Sequence, residues 1–268
     1  MNTVNNFENH NTLEEQYDFQ DSISGELGKV KGIVKQTKTN IKITEIDPDW
    51  IAGKERGDKE AADRFAEKFW TKELTKKLRK RIENSENLLF ISVPSSSKNN
   101  VHPISLIEKL SKEFNGDYLI GETYFDVLHE KQSKQIRPFE RVFHPRLYEP
   151  VDSEELIELL TNKDVIIADD IFTTGGSAAS LIRTLDRIGI SVKTVIGYFG
   201  NTNLAVPPQI VSSMRKGFKN KEININAREL SKHLTLTEAK IIIELIKNVR
   251  SKNDKSELTQ KIQRIFNN

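Results

Sequence analysis

One short run of residues, from Val165 to Ser177, constrains the fold of this chain more than any other feature. It opens with four apolar residues, 165–168, with no polar residue alternating among them. This pattern predicts a strand buried on both faces of a parallel sheet. The carboxylates of Asp169 and Asp170 come next, at the strand end where open α/β sheets bind ligands. A turn and a segment of helical periodicity, 178–185, complete the run. The sequence therefore predicts strand, turn and helix around a binding site.

The turn within this run has the composition of an anion-binding loop. Glycine allows backbone N–H groups to converge on an anion, and hydroxyl groups add further donors. The helix that follows presents the positive end of its dipole to the same point. We expect Gly176 to adopt a positive φ, and a side chain there to crowd the anion. The predicted phosphate-binding residues are Thr173, Thr174, Gly175, Gly176 and Ser177.

The run resembles the phosphoribosyl pyrophosphate (PRPP) signature of the type I phosphoribosyltransferases. That signature has four apolar residues, two acids, two further residues and a Thr/Gly-rich loop ending in Ser or Thr, and all thirteen positions fit it. The resemblance implies an α/β fold: an open parallel sheet flanked by helices, with an added N-terminal segment and a C-terminal helical tail. Members that act on 6-oxopurines usually carry an Asp where Thr173 stands. The chain therefore looks nearer to the orotate-type and competence-associated branches, and the spacing of Gln132 and basic residues ahead of Phe143 resembles the latter.

The resemblance also implies an activity and a set of residue roles. PRPP-dependent transfer of the 5-phosphoribosyl group to a nucleobase-like nitrogen acceptor would release pyrophosphate, with Mg²⁺ as cofactor. Asp169 and Asp170 would hold the ribose hydroxyls, directly or through Mg²⁺, and the loop 173–177 would bind the 5-phosphate. A polar loop after a predicted strand at 88–93 would face the pyrophosphate through Ser95, Ser96, Ser97 and Lys98. A basic lid within 122–152 would close over PRPP, with Lys131, Lys134 and Arg137 as candidate catalytic residues.

Strand and helix patterns alternate along the rest of the chain, which predicts a βαβ sheet. Strands are predicted at 88–93, 117–120, 165–168 and 192–199, with an edge strand at 222–226. Helices are predicted at 58–82, 104–114, 152–160, 178–188, 235–246 and 257–266. Pro207 and Pro208 are expected to interrupt any element, 214–221 to form a basic loop, and Thr235 with Glu238 to form a capping box. The predicted divisions are a flexible arm (1–27), an N-terminal segment with a candidate hood (28–85), a core (86–226) and a helical tail (227–268).

Composition excludes several classes of function. The formal net charge is only +2, so no overall field favours nucleic acid or a membrane surface. The chain has no Cys, which excludes disulfides, thiolate nucleophiles and Cys-ligated zinc, and its five His residues lack metal-ligand spacing. No apolar run approaches the ~20 residues that span a bilayer. The N-terminus lacks a signal-peptide profile, so we expect a cytoplasmic location.

Three functional hypotheses remain open at this point. The first is the phosphoribosyltransferase itself, expected as a homodimer. The second is a regulator that binds PRPP or a nucleotide without turnover, because a fold does not guarantee its usual activity. The third is an accessory of nucleic-acid processing, supported only by Gln132, by the tail and by a basic cluster within residues 76–81. For the tail, dimerisation or packing on the core is favoured over a helix-turn-helix.

Overall fold

The computed structural model describes residues 26–30, 32–35, 47–83, 85–95, 99–128, 136, 139–200 and 202–266. Several sequence predictions lie outside these residues. They concern most of the N-terminal arm, three residues of the pyrophosphate loop (Ser96, Ser97 and Lys98) and three of the lid (Lys131, Lys134 and Arg137).

Nine strands form the β-structure of the described residues. They are β1 (Ile33–Val34), β2 (Leu88–Ser92), β3 (Asp117–Leu119), β4 (Phe125–Leu128), β5 (Leu147–Pro150), β6 (Asp164–Ala168), β7 (Ile171–Phe172), β8 (Val192–Ile196) and β9 (Phe199–Gly200). Five of them make one sheet in the order β1-β8-β6-β2-β3, and every neighbouring pair is parallel. All the carboxyl ends therefore lie along one edge of the sheet. The chain moves outward from β2 to β3 and then returns to β6 on the other side of β2, which makes the gap between β2 and β6 the switch point where such sheets bind ligands.

Twelve α-helices surround the strands in the described residues. They are α1 (Glu26–Lys29), α2 (Pro48–Ile51), α3 (Lys59–Phe69), α4 (Lys72–Arg81), α5 (His102–Phe114), α6 (Gly121–Tyr124), α7 (Ser153–Leu160), α8 (Gly176–Arg187), α9 (Pro208–Asn220), α10 (Ala227–Lys232), α11 (Leu236–Asn248) and α12 (Lys252–Phe266). A π-helical turn, Ala52–Arg56, continues α2, and a 3₁₀ turn covers Arg141–Phe143. None of the helices in the described parts of the chain combines the length and apolar character needed to cross a membrane.

The central strands carry apolar side chains on both faces because helices cover both sides of the sheet. Val165 and Ile167 of β6 pack into one cluster with α1, α7 and α8. Ile166 and Ala168 point the other way, into a cluster with α3, α4 and α5. These four residues are completely buried. The continuous apolar run that predicted a central parallel strand is thereby explained, and the α/β fold class is confirmed.

The C-terminal tail shares a hydrophobic core with helix α9. Helices α9 to α12 bury Met214, Leu230, Ile242 and Ile262 together, and Phe143 from the 3₁₀ turn joins them. Thr235 caps α11, with its side chain accepting from the backbone of Glu238 while the Glu238 side chain accepts from the backbone of Thr235, so the predicted capping box is confirmed. The tail therefore packs against the region that carries the predicted lid.

Several predictions about secondary structure were wrong. The single helix predicted at 58–82 is two helices, because Trp70 is extended and Thr71 caps a new helix. The predicted loop at 214–221 lies largely in α9, which Pro208 begins instead of breaking, since proline suits the first helical turn. Residues 222–226 form no strand. The sheet edge beside β8 is instead occupied by β1, a segment from the N-terminal side of the chain.

The strand predicted at 192–199 is divided into β8 and β9, which belong to different sheets. Most of the other elements agree with the sequence predictions. An antiparallel pair, β4 with β5, flanks the predicted lid as a hairpin would. Helix α8 ends at Arg187 and is followed by Gly189 at φ 80°, the expected C-terminal glycine. The last helix begins at Lys252, five residues before the predicted start. The boundaries drawn at about residues 27, 85 and 226 stay predictions.

Candidate functional site

A cleft of about 360 Å³ opens at the switch point between β2 and β6. Val93, Pro94 and Ser95 line it after β2, while the acid pair and the loop 173–177 line it after β6. The predicted site residues that line the cleft are Ser95, Asp169, Asp170, Thr173, Thr174, Gly176 and Ser177. The parallel sheet brings these segments together because the carboxyl ends of neighbouring strands meet at the same edge.

Asp170 faces inward and is fully paired. Its Oδ2 contacts the ammonium group of Lys54 and accepts a hydrogen bond from Nδ2 of Asn100 at 2.9 Å, and its Oδ1 accepts from the backbone N–H of Ile171 at 2.7 Å. Only 4% of Asp170 is exposed. Burial raises its pKa, but the positive charge of Lys54 outweighs that effect and the pKa is lowered overall. Asp170 is therefore an ionised carboxylate that joins the π-helical turn to the sheet.

Asp169 faces the cleft and is partly exposed. Its backbone N–H donates to the carbonyl of Ile196 in β8, and its Oδ1 accepts from the N–H of Asp170 at 2.8 Å. Burial and the neighbouring negative charge of Asp170 together raise its pKa to about 8. A carboxylate with this environment has a strong need for a partner such as a hydroxyl group or a cation. The two acids therefore have different environments, whereas the sequence implied equivalent roles.

The loop after β7 has the conformation that the sequence predicted, with one shift of position. The positive φ lies at Gly175 (78°), which caps α8, and Gly176 is not among the described glycines with positive φ. A Cβ atom on Gly175 would lie 2.9 Å from Cγ2 of Thr202, so packing also requires glycine there. The expectation of a positive φ at Gly176 was wrong by one residue. The loop still directs the N-terminus of α8 towards the cleft.

The tail reaches this loop. Thr235 donates a hydrogen bond from Oγ1 to the carbonyl of Thr174, and Glu238 lines the cleft. A Cβ atom on Gly176 would lie 2.6 Å from Oε1 of Glu238, so this carboxylate rests directly on the loop. Burial raises the pKa of Glu238. The sequence predicted a capping box at Thr235 and Glu238 but contained no signal that this box would contact the signature loop.

Three basic residues also line the cleft. They are Lys54, Arg141 and Arg146. Nε of Arg141 is buried and has no hydrogen-bond partner among the described residues. The sequence placed Arg141 and Arg146 in the basic lid segment but did not select them, since basic residues in one long segment cannot be ranked without the fold. No motif pointed to Lys54.

A stacked pair of rings supports the floor of the cleft. Trp50, which lines the cleft, stacks on His102 with ring centroids 4.2 Å apart, and Nε2 of His102 lies 2.9 Å from the carbonyl oxygen of Trp50. His102 is completely buried, and burial lowers its pKa. Because Nε2 then carries the proton that the Trp50 carbonyl accepts, Nδ1 is an unprotonated, buried nitrogen with no partner among the described residues. His102 therefore acts as a neutral structural residue.

The oxygen atoms in the cleft suit a metal ion that binds together with the substrate. The described residues contain no cluster of three His, Asp or Glu side chains that would hold a metal by itself. Mg²⁺, however, commonly keeps several waters and binds through one or two carboxylates together with substrate oxygens. Asp169 offers one such carboxylate, and its raised pKa is what a nearby cation would reverse. The residues present therefore fit Mg²⁺ bound together with a polyanionic substrate.

Part of the chain is similar in sequence to a phosphoribosyltransferase. Over 66 residues the chain is 38% identical to a hypoxanthine/guanine phosphoribosyltransferase of Methanosarcina mazei, an alignment that covers 22% of this chain and 35% of the relative. The chain thus matches only about a third of the length of that relative. No protein-family model matches the chain.

Solved structures of adenine phosphoribosyltransferases are also similar to the chain. One is 13% identical with a TM-score of 0.35, and the alignment covers 55% of this chain and 73% of that structure. The enzyme from Thermoanaerobacter pseudethanolicus is 14% identical with a TM-score of 0.32, with coverage of 54% and 72%.

Proposed function

We propose that the protein binds PRPP in the cleft between β2 and β6 and transfers its 5-phosphoribosyl group to a nitrogen acceptor of the nucleobase type, releasing pyrophosphate. The observation that carries this proposal is the convergence of Asp169, the loop 173–177 and Ser95 on one cleft at the switch point of a parallel sheet. The sequence similarity to a phosphoribosyltransferase supports it. We also propose that the protein acts as a homodimer in the cytoplasm.

Each part of PRPP has matching chemistry in the cleft. The 5-phosphate would bind at the N-terminus of α8, where the first backbone N–H groups of a helix have no intrahelical acceptor and Thr173, Thr174 and Ser177 add hydroxyls. Asp169 would accept hydrogen bonds from the ribose hydroxyls. Asp170 would act through position, since Lys54 and Asn100 already occupy its Oδ2.

The pyrophosphate would bind to the basic residues of the cleft. Arg141 and Arg146 line the cleft, and a guanidinium group binds phosphate oxygens in a bidentate manner. Ser95, the described residue of the predicted pyrophosphate loop, has its backbone N–H held by Oε1 of Glu122 at 2.8 Å. The proposal for Ser96, Ser97, Lys98, Lys131, Lys134 and Arg137 rests on the sequence alone.

When bound, Mg²⁺ would neutralise pyrophosphate charge and help to orient PRPP. The reaction would separate charge between an electron-poor ribose and the departing pyrophosphate. The residues of the cleft would contribute by holding the ribose and the phosphates in place and by stabilising the charge on pyrophosphate. The acceptor is proposed only as a nucleobase-like nitrogen. Thr173 favours the orotate-type or competence-associated branches, whereas the relative found by sequence is a hypoxanthine/guanine enzyme.

Calorimetric titration with PRPP and Mg²⁺ tests the site. We expect the wild-type protein to bind and Asp169→Asn to bind at least about tenfold more weakly, because a charge-assisted contact contributes roughly 1.5–3 kcal/mol. Asp164→Asn is the matched control, since Asp164 lies at the opposite end of the same strand, 3.2 Å from Lys193. Absence of binding by the wild-type protein would reject the proposal.

Release of pyrophosphate distinguishes an enzyme from a regulator. The purified protein would be incubated with PRPP, Mg²⁺ and a panel of purine and pyrimidine bases, with pyrophosphate measured directly. Release that depends on one base, and that Asp169→Asn loses, would support transfer. Binding of PRPP without release on any base would favour the regulator that shares the same cleft.

A further inference from the structure

The N-terminus of helix α11 lies against the loop proposed to bind the 5-phosphate and contacts named atoms of it. Residues 233–238 make three kinds of contact with the loop and with the helix that follows it. Thr235 donates to the carbonyl of Thr174, and the carbonyl of His233 accepts from Arg183 of α8 at 2.7 Å. Oε1 of Glu238 lies 2.6 Å from the position that a Cβ atom on Gly176 would take. The tail therefore forms one wall of the loop.

A carboxylate at this wall is unusual because the loop is otherwise built for an anion. Glu238 lines the cleft and is 7% exposed. Its Oε2 accepts the backbone N–H of Thr235 at 2.9 Å, which holds the side chain in place. The charged group that opposes it is Arg183, on α8. The N-terminus of α8, whose dipole favours a negative charge, thus already has a carboxylate of the same chain beside it.

We propose that Glu238 is an internal competitor for the phosphate loop: its carboxylate opposes the entry of a phosphate group, and residues 233–238 thereby control how tightly the loop binds phosphorylated sugars. This inference rests on the proposed function, because the proposed function assigns the 5-phosphate of PRPP to the loop. A ligand phosphate carries up to two negative charges close to Glu238. Tight binding requires that the carboxylate be protonated, or that the start of α11 move away from Gly176.

The substitution Glu238→Gln isolates the charge. Glutamine at this position keeps the capping box, because its amide oxygen still accepts the N–H of Thr235. Glu244→Gln is the matched control: Glu244 lies on the same helix, is exposed and pairs with Lys247 at the surface. Both variants lose one negative charge from α11, but only the first loses it beside the loop.

Removal of the charge should strengthen phosphate binding by a predictable amount. If the Glu238 carboxylate and a singly charged phosphate lie about 5 Å apart in a medium with the dielectric constant of water, their repulsion weakens binding roughly fourfold. A doubly charged phosphate doubles the energy of this repulsion. We therefore expect Glu238→Gln to bind ribose 5-phosphate at least about fivefold more tightly than the wild-type protein. Glu244→Gln should bind like the wild type. The gain should shrink as salt approaches ~1 M, where charges are screened within ~3 Å.

Titration calorimetry with ribose 5-phosphate and with Mg²⁺-PRPP decides between the outcomes, with thermal melts confirming that each variant is folded. Tighter binding by Glu238→Gln but not by Glu244→Gln supports the inference. If the wild type binds PRPP and Glu238→Gln binds both ligands no more tightly, the inference is overturned and the proposed PRPP site stands. If neither the wild type nor Glu238→Gln binds either ligand, both are overturned.

Discussion

The ammonium group of Lys54 contacts Oδ2 of Asp170, and this ion pair joins the π-helical turn after α2 to the carboxyl end of the central strand β6. Asp170 is almost completely buried, whereas the side chain of Lys54 is 39% exposed. The pair has a direct structural consequence. Asp170 stabilises the wall of the cleft formed by residues 47–56, and Asp169 remains available for a ligand.

Loss of either partner should therefore lower stability. We expect Lys54→Met to reduce the free energy of unfolding by about 1–3 kcal/mol, since it leaves the carboxylate of Asp170 buried with Asn100 and a backbone N–H as its remaining partners. The effect should be smaller than for a fully buried pair because water reaches Lys54. Lys247→Met, which removes an exposed pair with Glu244, should change stability by less than about 0.5 kcal/mol. Urea denaturation measures both, and equal effects would contradict the structural role of Lys54.

Asp169→Asn should have the opposite effect on stability. Burial and the negative charge of Asp170 raise the pKa of Asp169 to about 8 in the folded protein, against an ordinary value of 3.8. An acid whose pKa is raised on folding costs stability as the pH rises from its unfolded pKa to its folded pKa. Asparagine removes that cost and keeps an acceptor for the N–H of Asp170. We expect a gain on the order of 1 kcal/mol at pH 8, reduced by water in the cleft, and no gain at pH 3.5.

Urea titrations at several pH values between 3.5 and 8 measure this gain. Asp164→Asn, at the other end of β6, provides the comparison. A pH-independent difference between wild type and Asp169→Asn would show that the carboxylate of Asp169 is not destabilised in the folded protein. Gain of stability together with loss of PRPP binding is the pattern expected of a group that serves a ligand at the expense of stability.

Two glycines with the same backbone conformation test the packing of the loop. Gly175 and Gly189 have φ of 78° and 80°, but a Cβ atom would lie 2.9 Å from Thr202 at Gly175 and would meet nothing within 4 Å at Gly189. Alanine at either position costs about 1 kcal/mol of backbone strain. We expect Gly175→Ala to cost a further 1–3 kcal/mol, roughly, through overpacking, and to abolish phosphate binding.

Thermal and urea denaturation of both glycine variants measure the difference, and ribose 5-phosphate titration measures the effect on the loop. Gly189→Ala should bind the ligand normally. If Gly175→Ala also bound ribose 5-phosphate normally, the loop would not be the phosphate site.

The buried histidine should make the protein sensitive to acid. Burial lowers the pKa of His102 below its ordinary value of 6.5, while the charges of Asp170 and Lys54 shift this pKa in opposite directions. Below about pH 6.5 the unfolded chain takes up a proton that the folded protein resists, so stability falls as the pH falls. We expect His102→Gln to be less stable at pH 7.5, because it loses the stack on Trp50, and to lose less stability between pH 7.5 and pH 5.5.

His144→Gln provides the control for this experiment, since His144 is exposed at the edge of the cleft. Urea denaturation at the two pH values gives the difference for each protein. An acid-dependent loss in His102→Gln equal to that of the wild type would mean that His102 is charged in the folded state.

Local sequence patterns were sufficient to predict the central strand of the sheet and the loop that follows it. The four apolar residues 165–168 could only be buried on both sides, and the parallel sheet covers both sides. The Thr-Thr-Gly-Gly-Ser turn indicated a strained loop before a helix, and Gly175 has the positive φ that such a loop requires. Composition could not tell which of two adjacent glycines would take that conformation.

Predictions failed where a distant segment decided the outcome. Residues 222–226 have alternating apolar residues, as a strand does, but β1 already pairs with the available edge of β8. Residues 214–221 looked like a basic loop because their charges face solvent, while Met214 and Phe218 face a core made by the tail. Amphipathic periodicity is hard to recognise when the apolar partners lie thirty residues further along the chain.

The sequence by itself determined the class of fold, the position of the cleft at the end of β6 and the chemistry of the loop, because each depends on residues that are neighbours along the chain. Tertiary structure alone decided the different environments of Asp169 and Asp170, and it alone brought Lys54, Asn100 and Glu238 to the cleft. Along the chain, Lys54, Asn100 and Glu238 lie 116, 70 and 68 positions from Asp170. The energy of a charge depends on which groups surround it in space, and local sequence carries no record of them.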